Sequence, residues 1–286
     1  MDWENQRLSR LIEDWIEEDI GQGDLTKSAI TKNDVKAYWI AKEDGIFCGK
    51  EIIKKIFYKV DSKIKINFLL NDSDLFIKNQ KILELDGSAI SLLACERITL
   101  NIAMHLSGIA TYTNKLVEKL NRTEIKLADT RKTTPGLRVL EKYAFKCGGG
   151  TNHRMGLYDA AMIKENHIAW SDNLDDVVRS IRDNSPFTTH IIIEAESIIQ
   201  AKEAILAGAD SILLDEIDPI TLKDSIKELK DMAKNNLLKN RKNLIIEVSG
   251  IKPELIENYL IDGIDYISTS SATTKSNWID FSMRYI

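Results

Sequence analysis

The second half of the chain repeats one unit, a short apolar strand followed by an amphipathic helix, and this repetition limits the possible folds. Six apolar or β-branched runs occur after residue 124, and segments of helical period follow them, for example residues 174–182 and 196–207. The runs are residues 125–129, 160–164, 190–195, 211–215, 244–249 and 264–268. Repeated strand and helix units predict a parallel sheet, and unbroken apolar strands predict burial on both faces. Six units favour an α/β barrel over an open sheet, and the pattern alone leaves closure open.

The first hundred residues predict a different, mixed arrangement of helices and strands. Residues 35–42 and 63–70 alternate polar and apolar side chains with strand period, whereas residues 52–57 have helical spacing. A continuous helical pattern then runs from about Ser88 to Leu120. A length of 286 residues is compatible with one large domain or two ordinary ones.

Polar residues stand where the predicted parallel strands end. They are Asp129, Lys164, Glu194, Asp215, Ser249 and Ser268. The carboxyl ends of barrel strands converge on one rim, where active sites lie. Glu194 and Asp215 end otherwise apolar strands, where a carboxylate is costly unless it has a partner. The alternatives are that polar residues simply mark strand ends and that these carboxylates form structural salt bridges.

A basic segment lies inside an acidic protein. The chain has 44 acidic and 39 basic residues, a net charge of −5, yet residues 129–167 hold seven bases against four acids and include five of the 14 glycines. Clustered Arg and Lys suit a small ligand with several negative charges, and a glycine run lets backbone N–H groups approach an anion. The alternative is a solvated basic face with a mobile loop.

Several classes of protein do not fit the sequence. The net charge argues against a nucleic-acid partner, and neither a P-loop nor a dinucleotide fingerprint is present. Three widely spaced cysteines and four histidines without metal-binding spacing argue against a disulfide framework or a zinc site. The charged N-terminus and an interrupted apolar stretch at residues 98–110 predict no signal peptide and no membrane span. We therefore expect a cytoplasmic protein.

Five motifs resemble those of the quinolinate phosphoribosyltransferases, the nicotinate-nucleotide pyrophosphorylases (carboxylating) of NAD biosynthesis. They are EEDIGQGDLT at 17–26, ERITLN through LSGIAT at 96–111, TRKTTPGLR at 130–138, CGGGTNHRMGLYD at 147–159 and MIKENH at 162–167. The resemblance covers nearly the whole chain in the family's order. It implies transfer of a phosphoribosyl group from phosphoribosyl pyrophosphate to quinolinate, with decarboxylation, giving nicotinate mononucleotide, pyrophosphate and CO2.

The resemblance also implies a fold and an assembly. An N-terminal α/β sandwich over residues 1–110 would precede an incomplete parallel α/β barrel over residues 111–274, with residues 275–286 packing back on the sandwich. The active site would lie at the carboxyl ends of the barrel strands. The sandwich of one subunit would cap the barrel of its partner in a homodimer with shared active sites, and a hexamer is a further possibility. Mg²⁺ would arrive with phosphoribosyl pyrophosphate, and no organic cofactor would be needed.

Individual residues carry over from the family's motifs. Those resembling the quinolinate-binding set are Arg131, His153, Arg154, Lys164 and, from the neighbouring subunit, Arg97. Those resembling the phosphoribosyl and catalytic set are Thr130, Lys132, Glu194 and Asp215, the last two being candidate contacts for Mg²⁺. The phosphate loops would be Ser249, Gly250 and Ile251 with Ser268, Thr269 and Ser270. Ile251 and Ser270 stand where the family usually has glycine, and Glu216 where it has asparagine, so two larger side chains and one extra charge are expected near the phosphate and the ribose.

Two other functions remain open on the residues alone. A barrel lyase could use Lys164 at a strand end as a Schiff-base nucleophile. A related barrel could instead retain the anion pocket as a binding protein or serve another base.

Overall fold

The computed structural model describes residues 1–121, 123–171, 173–235 and 244–286, and the chain divides into two compact units. Unit 1 comprises Met1–Asn114, Thr133–Gly149 and Ala272–Ile286, and unit 2 comprises Lys115–Lys132 and Gly150–Ser271. Each unit is therefore assembled from separate stretches of the chain. The domain boundary after residue 110 stays a prediction.

After residue 124, helical segments follow the strands, as the periodicity predicts. The strands are β1 (Asp34–Ala41), β2 (Gly45–Ile46), β3 (Lys65–Phe68), β4 (Leu75–Phe76), β5 (Lys81–Ser88), β6 (Lys126–Ala128), β7 (Ala161–Ile163), β8 (Ile191–Ala195), β9 (Ser211–Asp215), β10 (Ile245–Ser249), β11 (Tyr266–Ser268) and β12 (Phe281–Tyr285). The α-helices are α1 (Gln6–Ile20), α2 (Lys50–Val60), α3 (Ala89–Lys119), α4 (Arg138–Cys147), α5 (Glu165–Ala169), α6 (Leu174–Asn184), α7 (Ile198–Ala207), α8 (Pro219–Asn235) and α9 (Ser271–Thr274). In the described residues, 3₁₀ helices span Leu25–Ala29 and Pro253–Tyr259.

Unit 1 is built on an antiparallel sheet of four strands in the order β12-β1-β5-β3. The C-terminal strand joins this sheet because residues 281–285 pair with residues 37–41 of β1. Alternate residues of β1 are buried, and Trp39, which is fully buried, packs with Phe281 at a ring-centroid distance of 6.4 Å. The predicted strands at 35–42 and 63–70 and the predicted helix at 52–57 are confirmed as β1, β3 and α2.

The long helix α3 confirms the helical pattern between Ser88 and Leu120. Among the described residues it is the one helix that is long and apolar enough to cross a membrane. In its most apolar stretch, 44% of the residues are buried inside the protein, and core helices of globular proteins share that length and composition. The helix also buries hydroxyl groups, such as that of Thr99, which donates to the Cys95 carbonyl. Helix α3 is therefore a core helix of this fold.

Unit 2 contains a parallel sheet in the order β6-β11-β10-β9-β8-β7. Each of the six predicted runs contains one of these strands. Buried apolar residues fill them, as in residues 212–214 of β9, because helices cover a parallel sheet. No ladder joins β6 to β7 in the described part of the chain, so the barrel is incomplete. This agrees with the fold that the resemblance implied.

Candidate active site

Four predicted site residues share one face of the parallel sheet at its carboxyl edge. Glu194 pairs with Leu213, two residues before Asp215, and Asp215 pairs with Ser249. The β10–β11 register brings Ser249 level with Ser268. Because successive strand side chains alternate between faces, these residues all project to the same side.

Lys164 and Glu194 form an ion pair at the edge of this face. Lys164 follows β7 directly and begins α5, and its side chain is more exposed than that of Glu194, 43% against 16%. This ion pair matches the alternative that Glu194 forms a structural salt bridge. It also leaves a partly exposed ammonium group beside a carboxylate, and an incoming anion can recruit that ammonium. Asp215 has a different partner, because its Oδ1 accepts a hydrogen bond from the Ser249 hydroxyl.

Arg154 brings a buried positive charge to the site. Its side chain is nearly buried, and Nη1 donates to the Ala160 carbonyl at 3.0 Å. Burial lowers the pKa of Arg154, repulsion from Arg131 lowers it further, and attraction to Glu194 acts in the opposite direction. The two guanidinium groups and the carboxylate therefore lie within electrostatic reach of one another. A buried cation repelled by a second cation is stabilised when an anion binds between them.

Two buried carboxylates hold the segment that carries Arg154. Asp129 accepts from the side chain of Asn152 at 2.7 Å and from the backbone N–H of His153 at 2.8 Å. Glu247 lies 3.1 Å from Nε2 of His153. The sequence reasoning did not include Glu247 among the site residues. The signal was available, because Glu247 interrupts an otherwise apolar strand as Glu194 does.

The remaining predicted residues lie in loops that follow β6, β10 and β11. The Thr130 hydroxyl accepts from the backbone N–H of Lys132 at 3.0 Å, and the Lys132 side chain is exposed. Gly250 has a φ of +76°, and Ile251 is nearly buried. Residues 268 and 269 are buried, residue 270 is half-buried, and the backbone N–H of Thr269 donates to the Ala128 carbonyl.

Arg97 belongs to unit 1 and is exposed on α3. It lines a cavity of about 550 Å³ within that unit, together with Trp15, Asp19, His105 and Trp278. The other predicted substrate-binding residues belong to unit 2. The part played by Arg97 in a shared site stays a prediction.

The described residues contain no group of three or more His, Cys, Asp or Glu side chains that could hold a metal ion. Glu194 and Asp215 nevertheless present the oxygen donors that Mg²⁺ prefers. This donor set fits a metal that is held mainly by the phosphate oxygens of a substrate.

Two family models cover most of the chain. The N-terminal domain of quinolinate phosphoribosyl transferase matches residues 24–107, and its C-terminal domain matches residues 109–284. The chain belongs to the quinolinate phosphoribosyl transferase family.

Relatives of this family align over nearly the full length. A probable nicotinate-nucleotide pyrophosphorylase (carboxylating) of Bacillus subtilis is 39% identical over 97% of this chain and 93% of its own length. A protein of the same name from Methanothermobacter thermautotrophicus is 37% identical over 96% of this chain and 97% of its own. The solved structure of the nicotinate-nucleotide pyrophosphorylase from Francisella tularensis superposes with a TM-score of 0.88, at 33% identity over 98% of this chain and 96% of that one. The family resemblance of the motifs is therefore confirmed over nearly the whole chain.

Proposed function

We propose that this chain transfers the phosphoribosyl group of phosphoribosyl pyrophosphate to quinolinate and decarboxylates the product, giving nicotinate mononucleotide, pyrophosphate and CO2 in NAD biosynthesis. The observation that carries the proposal is the buried Arg154, repelled by Arg131 and close to the Lys164–Glu194 pair. Quinolinate has two carboxylates on adjacent ring carbons. Removing such a dianion from water is costly unless several cations lie close together to pair with it.

Quinolinate binds among the basic side chains of the site. Arg131 and Arg154 take its carboxylates through their planar, forked guanidinium groups. Lys164 supplies a point charge, and His153 helps to form the same subsite. A second copy of the chain contributes Arg97, because the sandwich of one subunit covers the barrel of the other in a homodimer.

Phosphoribosyl pyrophosphate binds along the loops that follow the strands. Thr130 and Lys132 face its phosphates, and backbone N–H groups of the loops after β10 and β11 take the 5′-phosphate. Those loop residues are Ser249, Gly250, Ile251, Ser268, Thr269 and Ser270. Mg²⁺ bound to the pyrophosphate would meet Glu194 and Asp215 and neutralise charge on the leaving group.

The reaction uses charge and orientation and needs no covalent intermediate on the protein. Cleavage of the anomeric bond gives the ribose oxocarbenium character, which the carboxylates of Glu194 and Asp215 stabilise electrostatically. After transfer, the pyridine nitrogen is cationic and stabilises the electron pair that the departing CO2 leaves on the adjacent carbon. A proton from water then bonds to that carbon and completes nicotinate mononucleotide. The residues around the ring hold it in place during this step.

The Lys164–Glu194 contact argues against a Schiff-base lyase. A nucleophilic amine needs a free electron pair, and an ammonium group that donates to a carboxylate has none. Borohydride trapping with carbonyl substrates tests this alternative, and we expect no adduct on Lys164.

Titration calorimetry tests the substrate assignment. We expect wild-type protein to bind quinolinate, and Arg154→Ala to lose that binding while it retains a cooperative thermal transition. Arg179→Ala is the matched control because Arg179 is an exposed arginine on α6, paired only loosely with Asp176 at 3.4 Å. Wild-type protein that does not bind quinolinate, with or without phosphoribosyl pyrophosphate, would favour a binding protein for another ligand.

A further inference from the structure

Glu247 lies inside a strand of the parallel sheet, level with Glu194 because both pair with Leu213, whereas Asp215 ends its strand. Glu247 is the middle residue of β10, between the fully buried Ile246 and Val248, and it is 5% exposed. It stands two residues before Ser249, so its side chain is on the same face of the sheet, one layer deeper. This position places a negative charge beneath a site for anions.

The two carboxylate oxygens of Glu247 have different surroundings. Oε2 contacts Nε2 of His153 at 3.1 Å, whereas Oε1 is buried and has no hydrogen-bond partner in the described part of the chain. A buried carboxylate with an unpaired oxygen lowers the stability of the fold. An aliphatic residue would continue the strand without that loss. The charge therefore points to a role other than stability.

The hydrogen bond at the second ring nitrogen of His153 identifies which nitrogen carries the ring proton. Nδ1 accepts a hydrogen bond from the backbone N–H of Arg154 at 2.7 Å. A nitrogen that accepts a hydrogen bond carries no proton, so the ring proton is on Nε2 and points to Glu247. The imidazole is held at both ends, and one of these contacts is made to the backbone from which the Arg154 side chain extends.

We propose that Glu247 is a positioning residue that acts through His153. It fixes the Nε2-protonated tautomer and the orientation of the ring, and the ring fixes the backbone at Arg154. The guanidinium group of Arg154 is thereby presented to a substrate carboxylate. A carboxylate serves better than an amide here because charge-assisted hydrogen bonds are stronger and more directional. This inference rests on the proposed function, since it gives the His153–Glu247 pair a part in quinolinate binding.

Steady-state kinetics of Glu247→Gln test this role, because glutamine keeps the shape of the side chain and removes its charge. We expect the KM for quinolinate to rise about tenfold and kcat to change much less, because the missing interaction orients a binding group. The KM for phosphoribosyl pyrophosphate should stay within about twofold. We expect Glu247→Asp to recover part of the quinolinate affinity. An unchanged KM for quinolinate in Glu247→Gln would overturn the proposal.

Ser211→Ala is the matched control. Ser211 is also buried on the parallel sheet and also contacts a histidine, Nε2 of His190 at 2.5 Å, but it lies at the amino end of β9. Loss of this contact should lower the thermal midpoint and leave both KM values unchanged. A similar rise in KM in Ser211→Ala would assign the effect of Glu247→Gln to general loosening of the sheet and overturn the positioning role.

A double-mutant cycle with His153→Gln separates action through the ring from direct contact with substrate. If Glu247 acts through His153, Glu247→Gln adds little to the KM once the ring is gone. Full additivity would contradict the proposal.

Nitrogen-15 NMR of labelled histidines gives a readout that does not depend on activity. We expect the His153 signal, assigned by its loss in His153→Gln, to report a proton on Nε2 in the wild type and to change in Glu247→Gln. A proton on Nδ1 with Nε2 bare in the wild type would refute the pairing. Failure of the proposed function can be told apart from failure of this inference. In the first case the wild type makes no nicotinate mononucleotide, whatever the NMR experiment shows for His153.

Discussion

Nε2 of His105 lies 2.9 Å from Oε1 of Glu141, a carboxylate that is completely buried in unit 1. The other carboxylate oxygen accepts the backbone N–H of Thr134 at 2.9 Å. Burial by itself would raise the pKa of Glu141, but the hydrogen bonds from His105 and Thr134 together hold it below its ordinary value of 4.5. The folded state therefore favours the ionised carboxylate.

We predict that Glu141→Gln lowers the free energy of unfolding at pH 7 by about 1–3 kcal/mol, because it removes the charge of a buried acceptor that takes hydrogen bonds from His105 and the Thr134 backbone. A carboxyl whose pKa is depressed by folding stabilises the protein above its ordinary value, and the contribution is lost as the pH falls through the folded pKa. The difference between wild type and variant should thus shrink below about pH 4.5. Urea unfolding of both proteins between pH 3 and pH 7 measures this difference in the free energy of unfolding. A difference that is constant across this range would contradict the assignment.

Gly250→Ala should be more damaging than Gly136→Ala, although both glycines have a positive φ. Gly250 has a φ of +76°, and an added Cβ would lie 3.0 Å from the backbone nitrogen of Glu216 and 3.2 Å from a carboxylate oxygen of Asp215. Alanine in this left-handed conformation is strained by about 1–2 kcal/mol, and the close contacts of its Cβ add to that cost. We expect lower stability and a higher KM for phosphoribosyl pyrophosphate. Gly136→Ala is the control, because Gly136 has a φ of +88° with nothing within 4 Å of the added Cβ, and equal effects on stability and KM in both variants would refute this account.

Glu216→Asn should stabilise the protein. Glu216 is exposed and has a φ of +54°, a conformation that asparagine adopts more readily than glutamate. We expect a gain of about 0.5–1 kcal/mol in the free energy of unfolding. Glu196→Asn serves as the control, because Glu196 is an exposed carboxylate without a positive φ. A loss of stability in Glu216→Asn would show that the glutamate makes a compensating interaction.

Mixing two inactive variants tests whether the active site is shared. Arg97→Ala and Lys164→Ala should each be inactive, because each removes a cation of the proposed quinolinate subsite. If Arg97 comes from the second subunit, half of the sites in a mixed dimer are intact, and random exchange restores roughly a quarter of wild-type activity. Lys164→Ala mixed with Glu194→Gln should restore none, since both residues would belong to the same subunit's site. Absence of recovery in the first mixture would place the complete site within one chain.

Much of the fold could be predicted from local periodicity. The six strands of unit 2 lie where apolar runs interrupt helical patterns, because burial of both faces of a parallel sheet leaves that signature in the sequence. The assignment of residues 133–149 to unit 1 could not be read in this way. The pairing of Glu141 with His105 joins positions 36 residues apart and depends on packing that no local pattern records.

The candidate site shows the same division between local and long-range information. Glu194 and Asp215 could be identified because a carboxylate at the end of an apolar strand is costly without a partner. The register that puts them on one face with Ser249 required the sheet order. Glu247 could have been singled out on the same ground, but its contact with His153 spans 94 residues and no local pattern records it.

The release of CO2 from quinolinate labelled at the carboxylate next to the ring nitrogen tests the central claim most directly. With phosphoribosyl pyrophosphate and Mg²⁺ present, we predict equal amounts of labelled CO2, pyrophosphate and nicotinate mononucleotide, and no CO2 when phosphoribosyl pyrophosphate is omitted. Decarboxylation without phosphoribosyl pyrophosphate, or no nucleotide product with all components present, would contradict the account.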